Sequence, residues 1–211
     1  MRSESATPKV PGLILHAATS YDLLVGVLTM GRERSLRQRM LRPARLQAGE
    51  SVLDVGCGTG SLTIEAKRAV LSGGLVHGVD ASPEMIARAR RKAQKAGLDI
   101  SLATAPAQVL PFLDGRFDVV VISMVLHHLP RSSREQCARE MRRVVRPGGR
   151  VLAIDFDPPP RRSGFLARLH RHGNLTPGEL AELLVDAGLY VSEKGAVGFR
   201  KLQFVLATRQ G

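Results

Sequence analysis

Asp54, Gly56, Gly58 and Gly60 stand at alternate positions of the stretch Val52-Leu53-Asp54-Val55-Gly56-Cys57-Gly58-Thr59-Gly60. Glycines at this spacing make a turn without Cβ atoms, so the backbone can approach a ligand closely and take positive φ. Asp54 would repel a diphosphate but could serve a cationic amino-acid ligand. A second carboxylate, Asp80, ends Leu75-Val76-His77-Gly78-Val79-Asp80, about twenty residues past the glycines. A doubly wound fold puts an acid there to accept hydrogen bonds from ribose hydroxyls. Asp80 could instead cap the next helix, but Ser82 fills that role. A third group is His127-His128, inside Ser123-Met124-Val125-Leu126-His127-His128-Leu129-Pro130. Imidazoles that titrate near neutrality are candidate general bases. One of two adjacent histidines can point into a pocket while the other faces away, and a purely structural role is the alternative.

The elements that must hold these groups are readable. Val52–Val55 reads as a buried strand of a parallel sheet, and Ser61–Val70 as the helix that follows the turn, with Gly73 and Gly74 beyond its end. Leu75–Asp80 is the second strand. Ser82 and Pro83 start a helix as N-cap and first residue, and Gly97 stops it. Asp99–Ala103 and Phe117–Ser123 read as strands three and four. Ser132-Ser133-Arg134-Glu135 offers a capping box for a helix to Val145, and Arg146–Arg150 turns into a fifth strand, Val151–Phe156. Thr176-Pro177-Gly178-Glu179 caps another helix, stopped at Gly188; Leu189–Val197 and Leu202–Thr208 read as a terminal hairpin.

The spacing excludes the better-known relatives of the turn. A dinucleotide site would read Gly-x-Gly-x-x-Gly, and a P-loop would continue into Gly-Lys-Ser/Thr; neither is present. Asp-x-Gly-x-Gly-x-Gly resembles the first motif of the class I S-adenosylmethionine (SAM) methyltransferases, and Asp80 followed by Ser82-Pro83-Glu84-Met85 resembles their ribose-binding segment. The chain is similar, over residues 20–208, to the ubiquinone/menaquinone C-methyltransferase-like group. That resemblance implies an α/β fold, a doubly wound, Rossmann-like, seven-stranded and mainly parallel sheet with a terminal antiparallel hairpin and N-terminal helices. It implies a helical lid segment over residues 1–45 and a SAM-binding domain over 46–211. The implied cofactor site comprises Tyr21, Asp54, Gly56, Cys57, Gly58, Thr59, Gly60, Asp80, Ala81, Met85, Ala107, Gln108 and Ser123. His127 is the catalytic candidate, and no metal is implied.

Two departures from that group stand out. Its usual Gly-Asp-Ala-Glu-x-Leu-Pro-Phe segment is here Ala105-Pro106-Ala107-Gln108-Val109-Leu110-Pro111-Phe112. The acid that accepts from the adenine amino group is thus a proline, with neither a side-chain acceptor nor a backbone donor. Adenine contacts must then come from the Ala107 backbone or from Gln108. Quinone C-methylating relatives also tend to carry arginine where this chain has His127. Tyr21-Asp22-Leu23-Leu24 with Met30-Gly31-Arg32 resembles that group's lead-in, whose helices close over the cofactor; a helix that only covers the sheet edge is the alternative.

Composition bounds the partners. The 211 residues fit one domain, 44% of them hydrophobic, with no apolar run of membrane-spanning length and no apolar signal core at the start. Two cysteines give neither a disulfide framework nor zinc spacing, and the chain reads most simply as cytoplasmic. Cys57 reads as a small packing residue. The net charge is +12, with basic clusters at 32–45, 88–95, 131–150 and 161–171. Most are expected on solvated helix faces. The cluster after Asp155-Phe156-Asp157-Pro158-Pro159-Pro160 would rim an acceptor site and suit an anionic acceptor, anionic lipid or nucleic acid. With 4% aromatics and no tryptophan there are few stacking platforms, so nucleic acid ranks below a small-molecule or lipid-like methyl acceptor. A non-catalytic SAM-binding protein is the third reading.

Overall fold

The computed structural model describes residues 33–158, 175–199 and 201–211. Among them a helix α1 (Glu33–Leu41) and a 3₁₀ turn (Arg42–Ala44) precede β1 (Ser51–Val55), α2 (Ser61–Val70), β2 (Leu75–Asp80), α3 (Pro83–Lys95) and β3 (Ser101–Thr104). Then come β4 (Phe117–Ser123), a 3₁₀ turn (Leu126–His128), α4 (Arg131–Val144) and β5 (Val145–Phe156). The chain continues through α5 (Pro177–Asp186), β6 (Tyr190–Ala196) and β7 (Leu202–Thr208). The strands form one seven-stranded sheet in the order β3-β2-β1-β4-β5-β7-β6. β7 runs antiparallel to both β5 and β6, while the other pairings are parallel.

The sheet is covered on both faces, which is why β1 is buried at all five positions. Successive side chains point to opposite faces. Val52, Val119 and Val121 pack with Met40 of α1 and Leu62, Ala66 and Val70 of α2. Leu53, Val120 and Ile122 join Met141 of α4 and Leu180 and Leu184 of α5 on the other side. The path reverses between β1 and β4, so the carboxyl ends of β1, β2 and β4 open into a common crevice, the usual ligand position of such sheets.

Local signals are realised at several ends. Ser82 caps α3 by accepting from Met85 N at 3.3 Å, with Pro83 next. Thr176 and Glu179 form a reciprocal capping box on α5. Three expectations need correction. Ser132–Glu135 makes no capping box: α4 starts at Arg131, after Pro130 in extended conformation and with no side-chain cap. Ser133 is buried inside the first turn and Glu135 pairs with Arg131. β5 begins at Val145 rather than Val151, with residues 146–149 bulged out between the Phe117–Val145 and Val119–Arg150 pairs. The tail holds this bulge, Arg209 donating to Gly149 O at 2.9 Å and accepting from Gly148 N at 2.7 Å. The third strand starts at Ser101, where His77 first provides a partner, and not at Asp99.

Candidate functional site

The glycine turn crosses the carboxyl end of β1 and is fastened to β2: Gly56 N and Cys57 N both donate to Val79 O, at 2.7 and 2.9 Å. Gly56 has φ +70, and a Cβ there would overlap a methyl of Val125. Gly60 has φ +81, and a Cβ would lie 2.9 Å from that of Ala89 on α3. These glycines let the turn fit between the β4 loop and α3. Lys92 of α3 adds a tie, donating to Thr59 Oγ1 and Ser61 Oγ at 3.0 and 3.1 Å.

Asp80 sits at the end of β2 and organises the centre. Its Oδ2 accepts from Gly58 N at 2.8 Å and its Oδ1 from Ser82 N at 2.9 Å. Burial raises its pKa against these two donors. A carboxylate oxygen has more than one lone pair, so both oxygens keep capacity for ligand hydroxyls.

The cleft around Asp80 is lined by Gly56, Cys57, Gly58 and Thr59 from the turn, Ala81 and Met85 after β2, Ala107 and Gln108 after β3, and Ser123 from β4. Asp54 and Gly60 lie behind this surface, and Pro106 is not part of the lining either. Of the two histidines, His128 lines the cleft while His127 is turned to Asp155, its Nδ1 2.6 Å from Oδ1. Tyr21 and the basic segment at residues 161–171 lie outside the described residues.

Sequence reasoning missed Arg37. This arginine of α1 also lines the cleft although only 5% of it is exposed. It sits with Leu36, Met40 and Leu41 on the buried stripe of the helix, and a cation on an otherwise apolar stripe was the available signal. Its Nη2 donates to Glu33 at 3.4 Å and its Nη1 to Met40 Sδ at 3.6 Å, but its Nε has no partner. Nearby Asp54 is 2% exposed and accepts from Thr63 Oγ1 at 2.6 Å through Oδ2, while its Oδ1 is buried and unpartnered. Besides Asp80, the cleft thus has one lining cation, Arg37, and a second carboxyl group, Asp54, behind its wall, each with an unused polar atom. Met124, at φ +56 on the β4 side of the cleft, is a strained non-glycine residue of the kind that collects at binding sites.

Burial pushes the Asp54 pKa up from 3.8 to about 6, against the Thr63 hydrogen bond and the Arg37 charge, with Asp80 adding to the rise. The folded protein therefore holds this proton more tightly than the unfolded chain. Stability from this group is full below the unfolded pKa and falls as pH rises from about 4 to about 6. Between pH 5 and 7 the loss is on the order of 1 kcal/mol at ~1.4 kcal/mol per pH unit. Urea denaturation of the ligand-free protein should show that loss in wild type and not in Asp54→Asn; parallel pH profiles would contradict it.

Residues 52–149 match the family described as "Methyltransferase domain". The chain is 38% identical over 144 residues to a demethylmenaquinone methyltransferase of Thermus thermophilus, covering 68% of this chain and 64% of that protein. It is 35% identical over 157 residues to a ubiquinone/menaquinone biosynthesis C-methyltransferase of Bdellovibrio bacteriovorus, covering 74% and 66%. The matched region thus spans just under two thirds of each relative. The fold is similar to that of a SAM-dependent methyltransferase from Aquifex aeolicus, with TM-score 0.75, 24% identity and coverage of 90% of this chain and 97% of that one. Among the described residues no helix is long and apolar enough to cross a membrane, and no group of His, Cys, Asp and Glu could hold a metal ion.

Proposed function

From a chain whose residues 52–149 belong to the class I SAM-dependent methyltransferase family, we propose an enzyme that methylates a small aromatic acceptor of the quinol type. The observation that carries the reading is the complementarity of the cleft to a nucleoside bearing a zwitterionic tail. Asp80 would take the ribose hydroxyls on its spare lone pairs. Arg37 Nε and Asp54 Oδ1, both buried and unpartnered, have the charges that an α-carboxylate and an α-ammonium require. The turn residues Gly56 to Gly60 would line the tail, while the Ala107 backbone and Gln108 would meet the adenine in place of the missing acid. Met85 would pack beside the base and Ser123 would face the tail from β4.

When bound, SAM supplies a methyl group already activated by its sulfonium. The chain's own residues then have three tasks: to hold the nucleoside in one orientation, to align an acceptor with it, and to keep water out. Alignment supplies much of the acceleration in a transfer of this kind. Val125 and Leu129 give the β4 side of the cleft an apolar wall, and α1 closes it from the Arg37 side. α1 falls in the lid segment expected over residues 1–45, of which residues 1–32 lie outside the described residues.

The acceptor assignment draws on the quinone methylation for which the Thermus and Bdellovibrio relatives are named. Position 127, where the quinone group tends to have arginine, is here a histidine turned to Asp155, and this departure counts against carrying those relatives' own quinone over to this chain. Incubation with methyl-tritiated SAM and separate panels of naphthoquinols, phospholipid amines and RNA tests this. Label in the quinol fraction is expected; label confined to lipid amine or RNA would overturn the acceptor class.

A further inference from the structure

Asp155 is the most deeply buried acid among the described residues, at 0% exposure near the end of β5. An isolated carboxylate there would be costly. Its Oδ1 accepts from Phe156 N at 2.8 Å and lies 2.6 Å from His127 Nδ1, and its Oδ2 accepts from His127 N at 3.1 Å. With a carboxylate as acceptor, the network assigns the His127 proton to Nδ1. The His127 ring then packs on that of His128, with centroids 3.8 Å apart and planes inclined at 47°. Phe156 closes the far side of His127 edge-on at 5.8 Å. From α4, Arg134 Nε donates to Leu126 O and Leu129 O, both at 2.8 Å, and so pins the 3₁₀ turn that carries both histidines. The result is a supported imidazole, His128, on the cleft wall beside Met124, Val125 and Leu129.

We propose that His128 is the general base toward the methyl acceptor, that Asp155 and His127 are its positioning residues, and that the acceptor presents an ionisable aromatic hydroxyl. The proposal rests on the methyltransferase reading above. An imidazole nitrogen of His128 takes the hydroxyl proton, giving imidazolium and phenolate. The phenolate's electron pair, delivered through oxygen or through a ring carbon, forms the bond to methyl as the S–CH3 bond breaks with its pair to sulfur. With oxygen as acceptor, the proton leaves His128 to solvent. With carbon as acceptor, the ring C–H proton is lost as well and the oxygen is reprotonated, so one proton is released in either case.

The surroundings suit this role. Burial lowers the His128 pKa, and a charge on His127 would lower it further, so the imidazole is neutral and able to accept at neutral pH. Asp155 acts in the opposite sense and favours the imidazolium once the proton has moved. Arg134 and Glu179 act on this group of charges from α4 and α5.

The probe is 4-nitrocatechol, whose phenolate absorbs visible light, added to the protein saturated with S-adenosylhomocysteine. In wild type the bound probe is expected to show phenolate absorbance from about one pH unit below the free probe, because its proton passes to His128 and the imidazolium so formed stabilises the phenolate. His128→Gln should abolish that shift, with the affinity for S-adenosylhomocysteine changed by no more than about threefold. Asp155→Asn should diminish the shift, and nitrogen-15 spectra should show its His127 proton shared between Nδ1 and Nε2, which loss of packing alone would not produce. Should Asp155→Asn not fold, His127→Gln is expected to diminish the shift in the same way. Probe ionisation indifferent to His128, or no saturable probe binding, overturns the proposal. Failure of wild type to bind S-adenosylhomocysteine overturns the methyltransferase reading instead.

Discussion

Arg37→Ala is expected to weaken SAM binding by about 10- to 100-fold while leaving 5′-methylthioadenosine, which lacks the amino-acid tail, within about twofold. A hydrogen bond to a charged group contributes roughly 1.5–3 kcal/mol, which converts to that range. Arg37 is held on the cleft by Glu33 and Met40, yet its Nε donates to nothing. Nothing in the packing of α1 requires an arginine on a stripe otherwise made of Leu36, Met40 and Leu41. A carboxylate arriving beside it would satisfy the idle donor, and the charge of Asp54 behind the wall would favour its ammonium neighbour. Lysine cannot reproduce the planar fork, so Arg37→Lys should recover only part of the affinity. Calorimetric titration of both ligands separates the roles. Equal loss for the two would make Arg37 a packing residue of α1 and nothing more.

Gly56→Ala is expected to destabilise the protein by about 2–4 kcal/mol, combining positive-φ strain with overpacking. The new methyl would overlap Val125, while Gly56 N must still reach Val79 O at 2.7 Å. The two contributions can be divided. Val125→Ala in the same chain removes the overlap and leaves the φ +70 strain, so the double variant should regain about half of the loss. Urea denaturation midpoints report it, and no regain would locate the whole cost in the backbone.

The positions of the glycine turn, Asp80 and the Ser82 and Thr176 caps were legible in the sequence because each is set by neighbours within a few residues. β1 and β4 were legible because they are buried on both faces and read as continuous apolar runs. What could not be read depends on partners far along the chain. The start of β5 is decided by Arg209 of the tail, which fastens the bulge at residues 146–149. Which histidine faces the cleft is decided by Asp155, 28 residues on, which draws His127 away and leaves His128 exposed to the site. Arg37 was hidden among basic residues expected to be solvated. Its helical spacing with Leu36, Met40 and Leu41 is the one sequence signal that sets it apart from Arg39 or Arg42, and the packing of α1 bears that signal out.

The crevice at the ends of β1, β2 and β4 is assigned to SAM, with Asp80 on its ribose. Titrating SAM and S-adenosylhomocysteine into wild type and Asp80→Ala tests it directly. Micromolar-range binding is expected in wild type and at least about 100-fold weaker binding in the variant, because the ribose acceptors and the anchors of Gly58 N and Ser82 N are lost together. Absence of binding in wild type, or undiminished binding in Asp80→Ala, would contradict it.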